Sequence, residues 1–122
     1  MGKYFLTTER LGFRRIDKSD LNDIFQMFGD AEVMRYYPAA FSREQTENWI
    51  ERTLQRYERD GYAIWAVELL SSGAFIGGIG LPIQDVEGNK MTEVGYMLKR
   101  QYWGNGYALE GASAVRDYAF QE

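Results

Sequence analysis

The sequence predicts one α+β domain: a mainly antiparallel sheet of about four strands with three helices packed on it. Three observations carry this. The hydrophobic periodicities follow the order strand, helix, helix, three strands, helix. The three consecutive strands are joined by short turn-rich segments, so they form a meander. The chain has 122 residues, 45% of them apolar, enough for one modest core, and it carries no repeat, low-complexity tract or linker. A single domain over residues 1–122 is the expectation.

Residues 6–16 (LTTERLGFRRI) read as the first strand, with Leu11, Phe13 and Ile16 at its apolar positions. Ser19-Asp20 reads as the cap of a helix running to about Phe28, with a stripe of Leu21, Ile24, Phe25 and Phe28 and a stop at Gly29. The aromatic-rich residues 30–41 form an irregular connection with two readings, a loop anchored in the core or a pocket wall. Ser42 and Gln45 make a capping box for a helix to about Arg59, with Trp49, Ile50, Leu54 and Tyr57 inward and Asp60-Gly61 at its end. Residues 62–70 are the second strand, Ser71-Ser72-Gly73 a hairpin turn, and 74–83 the third strand, whose three glycines suggest a bulge or a close backbone contact. Residues 85–90 read as a second hairpin connection. The fourth strand, 92–99, places Val94, Tyr96 and Leu98 on one face and Glu93, Gly95, Met97 and Lys99 on the other. After Gly104-Asn105-Gly106, the spacing of Ala108, Gly111, Ala112, Val115 and Ala119 predicts the last helix.

Composition narrows the chemistry. The net charge of −4 with no basic run argues against broad nucleic-acid binding and against a membrane surface. No segment reaches the apolar length of a membrane span, and the first six residues are not a signal peptide, so a cytoplasmic setting is expected. The absence of Cys and His removes disulfides, a thiol nucleophile, an imidazole base and most transition-metal sites. No metal is expected. Chemistry must come from Glu, Asp, Tyr, Ser, Lys, backbone groups or a cofactor.

A strand, a glycine turn and a helix in succession point free N–H groups and the positive end of a helix dipole at an anion. The glycines let a phosphate approach the main chain, where a Cβ would hold it off. The competing reading, a tight connection that needs positive φ, carries comparable weight from the turn alone. The dinucleotide fingerprint fails because Leu109 stands where its third glycine would be, and no Gly-Lys-Ser/Thr follows for a nucleoside-triphosphate loop.

What fits is Gln101-x-x-Gly104-x-Gly106 after a strand and before a helix. These residues resemble motif A of the GNAT superfamily of acyl-CoA-dependent N-acetyltransferases. The stretch VGYML…QYWGNGYALEGASAVRDYAF looks most like the branch of the Rim-type enzymes that acetylate ribosomal-protein N-termini. TERLGFRRIDKSDLNDIFQMF and DAEVMRYYP resemble that branch's opening strand, first helix and acceptor-side connection.

The resemblance implies an acyl-CoA N-acetyltransferase-like fold and transfer of an acetyl group from acetyl-CoA to a primary amine, a peptide N-terminus or a small amine, by direct attack on the thioester. It implies a pyrophosphate cradle of Trp103, Gly104, Asn105, Gly106, Tyr107 and Ala108, and a pantetheine arm paired with main-chain groups of Met97, Leu98 and Lys99. Glu93 is the implied base that relieves the amine of its proton; an exposed strand residue paired with a nearby cation is the equal alternative. Arg35, Tyr36 and Tyr37 are implied acceptor contacts. Glu110 is better explained by the helix dipole than by catalysis. The family's fifth strand, next helix and final strand pair have no counterpart before Glu122, so a C-terminally incomplete domain is expected, with the fourth strand as an apolar edge open to pairing in a homodimer. The alternative function is a non-catalytic module of this kind that binds CoA weakly or self-associates.

Overall fold

The computed structural model describes residues 3–35, 39–80, 83–86, 89–92 and 95–121, with the backbone alone described for 83–86, 89–92, 95 and 119–121. Seven strands and three α-helices are present among them: β1 (Leu6–Thr7), β2 (Leu11–Arg14), α1 (Leu21–Phe28), α2 (Arg43–Asp60), β3 (Ile64–Leu69), β4 (Phe75–Gly80), β5 (Ile83–Val86), β6 (Asn89–Thr92), β7 (Gly95–Leu98) and α3 (Tyr107–Gln121). Five strands make one antiparallel sheet in the order β1-β2-β3-β4-β7, and β5 and β6 form a separate hairpin. The α+β fold with a mainly antiparallel sheet and three helices is as expected.

Two strand boundaries differ from the sequence reading. Residues 6–16 are a hairpin, not one strand: Leu6 pairs with Phe13 and Thr7 with Gly12. Thr8 closes the turn, its N–H donating to the Leu11 carbonyl at 2.8 Å and its Oγ1 accepting from the Leu11 N–H at 3.0 Å. Both arms keep their alternation, so periodicity gives no sign of the reversal. At the other end, residues 92–99 are not one strand: Thr92 ends β6, paired with Ile83 of β5, and the sheet strand is Gly95–Leu98. The segment 85–90, expected as a simple connection, supplies parts of both hairpin arms. Residues 93 and 94 lie outside the described residues.

Helix ends follow local chemistry. The Ser42–Gln45 capping box and the left-handed Gly61 bound α2 as expected. The first helix is entered through a capping box that starts earlier than expected: Asp17 accepts from the Ser19 N–H, Asp20 accepts from the Asp17 N–H at 2.8 Å, and a 3-10 turn runs into α1. Asp20 also pairs with Arg14, whose Nη2 lies 2.8 Å from Asp20 Oδ1 and 2.8 Å from Glu68 Oε2. Tyr4 Oη donates to Glu68 at 2.7 Å and Lys3 pairs with it at 2.9 Å. Burial pushes the Glu68 carboxyl up, but these hydrogen bonds outweigh it and hold the group below the usual carboxylate range.

The two faces of the sheet are covered separately. Leu11, Phe13, Val67 and Ile79, all fully buried, lie under α3. A Cβ on Gly111 would collide with Ile79 and press on Leu11 and Phe13, which is why small residues recur on this helix. Helices α1 and α2 cover the other face, where Phe28 packs edge-on against Trp49 and Phe41. The β3–β4 pairing shifts register between Val67 and Glu68, the bulge that the strand glycines suggested. No helix among the described residues is long and apolar enough to cross a membrane.

Candidate functional site

Strand β7 delivers the chain to a 3-10 turn (Arg100–Tyr102) and then to the glycine turn that opens α3. Gly104 and Gly106 have φ of 81° and 79°, values costly for any residue with a Cβ. A Cβ at Gly104 would meet nothing within 4 Å, and one at Gly106 only the Arg10 Nη2, 3.6 Å away. The space over Gly104 is open, and over Gly106 only Arg10 comes near. The first helical bond of α3 runs from the Glu110 N–H to the Gly106 carbonyl at 3.1 Å. The N–H groups of Tyr107, Ala108 and Leu109 precede it and have no helical acceptor, the usual state of a helix start. A cavity of about 290 Å³ lies against this turn, lined by Gly104, Gly106, Tyr107, Ala108, Trp103, Tyr102, Leu98, Tyr96 and Arg35.

Five of the six expected cradle residues therefore border one cavity. The sixth, Asn105, braces the turn: its Nδ2 donates to the Tyr102 and Trp103 carbonyls at 3.2 and 3.3 Å. Arg35 is at the same cavity, paired with Glu32 at 3.0 Å. Glu93, Tyr36 and Tyr37 lie outside the described residues.

The three expected strand contacts are not equivalent. The Lys99 N–H donates to the Ile76 carbonyl at 2.8 Å and its carbonyl accepts from the Tyr102 N–H at 2.9 Å. Its ammonium reaches the opposite face and pairs with Asp23 at 2.8 Å. The Lys99 N–H is thus committed to β4, and its carbonyl accepts one bond from within the turn. Met97, two residues away and opposite Gly78, has its peptide groups on the same β4-facing side, because these groups alternate along a strand. Leu98 alone of the three turns its main chain to the free side of β7, and there its carbonyl accepts from the Trp103 indole N–H at 3.0 Å.

Sequence reasoning missed the contribution of the β1–β2 turn. Glu110, in the first turn of α3, accepts from Arg10 Nε at 2.6 Å, from the Arg10 N–H at 3.0 Å and from the Thr8 hydroxyl. Partial burial pushes its carboxyl up, but these donors outweigh that and hold it below its ordinary value. The helix-dipole explanation of Glu110 is incomplete: it is also a tether. No sequence signal links residues a hundred positions apart.

A mainly antiparallel sheet with helices on both faces, and a glycine turn beside a cavity at the start of its last helix, define the class of this α+β domain. The chain belongs to the acetyltransferase (GNAT) domain family, whose pattern it matches over residues 10–122. The Bacillus subtilis protein YkkB is 36% identical over 118 residues, covering 96% of this chain and 69% of YkkB. An acetyltransferase from Agrobacterium tumefaciens superposes with a TM-score of 0.80 at 27% identity, over 95% of this chain and 66% of its own. The ribosomal L7/L12 α-N-protein acetyltransferase RimL, solved in complex with coenzyme A, has the same fold at 17% identity and a TM-score of 0.69, over 91% and 64% of the two chains. The chain spans about two thirds of the length of these relatives.

Proposed function

We propose that this domain transfers an acetyl group from acetyl-CoA to a primary amine, by direct attack of the amine on the thioester. The observation that carries the reading is the open glycine turn, with unclaimed helix-start N–H groups beside a cavity that reaches β7. Pyrophosphate sits on the amides of Gly104, Gly106, Tyr107 and Ala108, where the helix dipole adds to the hydrogen bonds. The pantetheine arm runs along the free side of β7 and pairs with Leu98. The acceptor is a peptide N-terminus, as in the Rim-type branch, or a small amine, with Arg35, Tyr36 and Tyr37 on the acceptor side. Glu93 takes the proton of the attacking amine, directly or through water. Collapse of the tetrahedral adduct then releases CoA as the thiolate, which takes up a proton. The setting is cytoplasmic.

Calorimetric titration with acetyl-CoA tests the reading, with ATP and NAD as controls. Saturable binding of acetyl-CoA alone supports it, and a folded chain that binds none of the three refutes it. Replacing Glu93 by Gln should lower turnover and shift its pH dependence with little change in CoA affinity; an unaltered rate-versus-pH curve removes Glu93 from the role of base. A second reading, a non-catalytic module that binds CoA weakly or self-associates, draws on the position of β7 at the edge of the five-stranded sheet, a template for strand pairing. Light scattering separates the two: a dimer that binds acetyl-CoA without turning over any amine favours the module.

A further inference from the structure

Arg10 stands in the β1–β2 turn, 95 positions from Asn105, yet its guanidinium is built into the glycine turn. Nε donates to Glu110 Oε1 at 2.6 Å, Nη1 donates to the Asn105 carbonyl at 3.0 Å, and the guanidinium lies 4.5 Å from the centroid of the Tyr107 ring. Nη2 comes within 3.6 Å of where a Gly106 Cβ would be. Glu110 is itself anchored by the Thr8 hydroxyl and the Arg10 N–H. Three features of one planar group are thus used at once, and a planar fork is what such a geometry needs.

The consequence follows from peptide geometry. The Asn105 carbonyl and the Gly106 N–H belong to one planar trans unit, so they point in opposite directions. Arg10 holds the carbonyl oxygen. Gly104, Gly106 and Tyr107 line the cavity and Arg10 does not, so the guanidinium grips the turn from outside. We infer that Arg10, held by Glu110, is a positioning residue for the phosphate-bearing end of acetyl-CoA: it fixes the Asn105–Gly106 peptide with the Gly106 N–H presented to the cavity. It also ties up a carbonyl dipole that would repel a phosphate if the peptide turned over. This rests on the reading of the turn as the acyl-CoA cradle.

The test uses Arg10→Lys and Glu110→Gln in the whole chain, followed by calorimetry with acetyl-CoA and by the amide NMR spectrum of Gly106. Lysine keeps the charge but has no fork. Arg10→Lys should weaken acetyl-CoA binding about tenfold, the scale of one charge-assisted hydrogen bond, and the Gly106 resonance should lose most of the displacement that saturating ligand causes in the wild type. Glu110→Gln should shift both readouts the same way by less. Wild-type affinity in Arg10→Lys overturns the inference. So does weaker binding with an undiminished Gly106 displacement, which would mean that Arg10 affects affinity by a route other than the Asn105–Gly106 peptide. Failure of the wild type itself to bind acetyl-CoA is read from its own titration and refutes the underlying cradle as well.

Discussion

Glycines occur in two parts of this molecule for opposite reasons. In β4, a Cβ on Gly80 would run into the Ala63 carbonyl and the Ile64 backbone, and one on Gly77 into the Met97 carbonyl. There glycine is present because neighbouring strands already fill the space. In the turn before α3, the Cβ positions of Gly104 and Gly106 are clear or nearly so, and glycine is present because the backbone has positive φ. A glycine with filled surroundings serves packing. One with open surroundings beside a cavity leaves room for a ligand as well as for its own conformation.

Substitutions at the two places should separate these roles. The largest effect is expected from Gly80→Ala, which must displace backbone and should cost about 3 kcal/mol, the upper range of overpacking, read as a lower midpoint in urea unfolding. Gly106→Val comes next: it should abolish calorimetrically detectable acetyl-CoA binding while costing about 1–2 kcal/mol of stability for the forced left-handed backbone. Unchanged affinity in a folded Gly106→Val chain would make the turn purely structural. The sharpest comparison is smaller. Gly73, in the β3–β4 hairpin, has φ of 78° and equally open surroundings, so Gly73→Ala and Gly104→Ala should each cost about 1 kcal/mol in urea unfolding. Only Gly104→Ala should weaken acetyl-CoA binding, because only that turn borders the cavity.

Acid should report the two regions together. Glu68, in β3 and paired with the half-buried Arg14, and Glu110, at the glycine turn, both have folded-state carboxyls held below the ordinary value. A depressed carboxylate stabilises the fold fully at pH above its unfolded value, about 4.3, and that contribution is lost as pH falls through the folded value. Stability should therefore hold from neutrality to about pH 5 and decline below it. Replacing Glu68 by Gln should flatten much of the decline, and Glu110→Gln a lesser part, as followed by thermal unfolding across pH.

Much was legible in the chain because it depends on near neighbours. The Ser42–Gln45 box, the Gly61 stop, the Ser71-Ser72-Gly73 turn and the apolar stripes of α1 and α2 are set within one or two turns of backbone, and residues that close report each other. Periodicity failed where it runs on unbroken: across the turn at residues 8–10, and from β6 toward β7. The orientation of the strand residues of the site was hidden for a related reason. Residues 97–99 carry no local mark of which way their peptide groups point, and only pairing with β4 decides that Met97 and Lys99 face that strand and that Leu98 faces the free side.

The sequence by itself determined the fold class, the family resemblance and the glycine turn before the last helix, since all three are written in short-range pattern and residue type. The tertiary structure decided what braces that turn. Arg10 and Glu110 meet because β2 and α3 are layered through Leu11, Phe13, Ile79 and Gly111, and an ion pair across a hundred residues has no local signature. It exists only once the hydrophobic faces have chosen their partners.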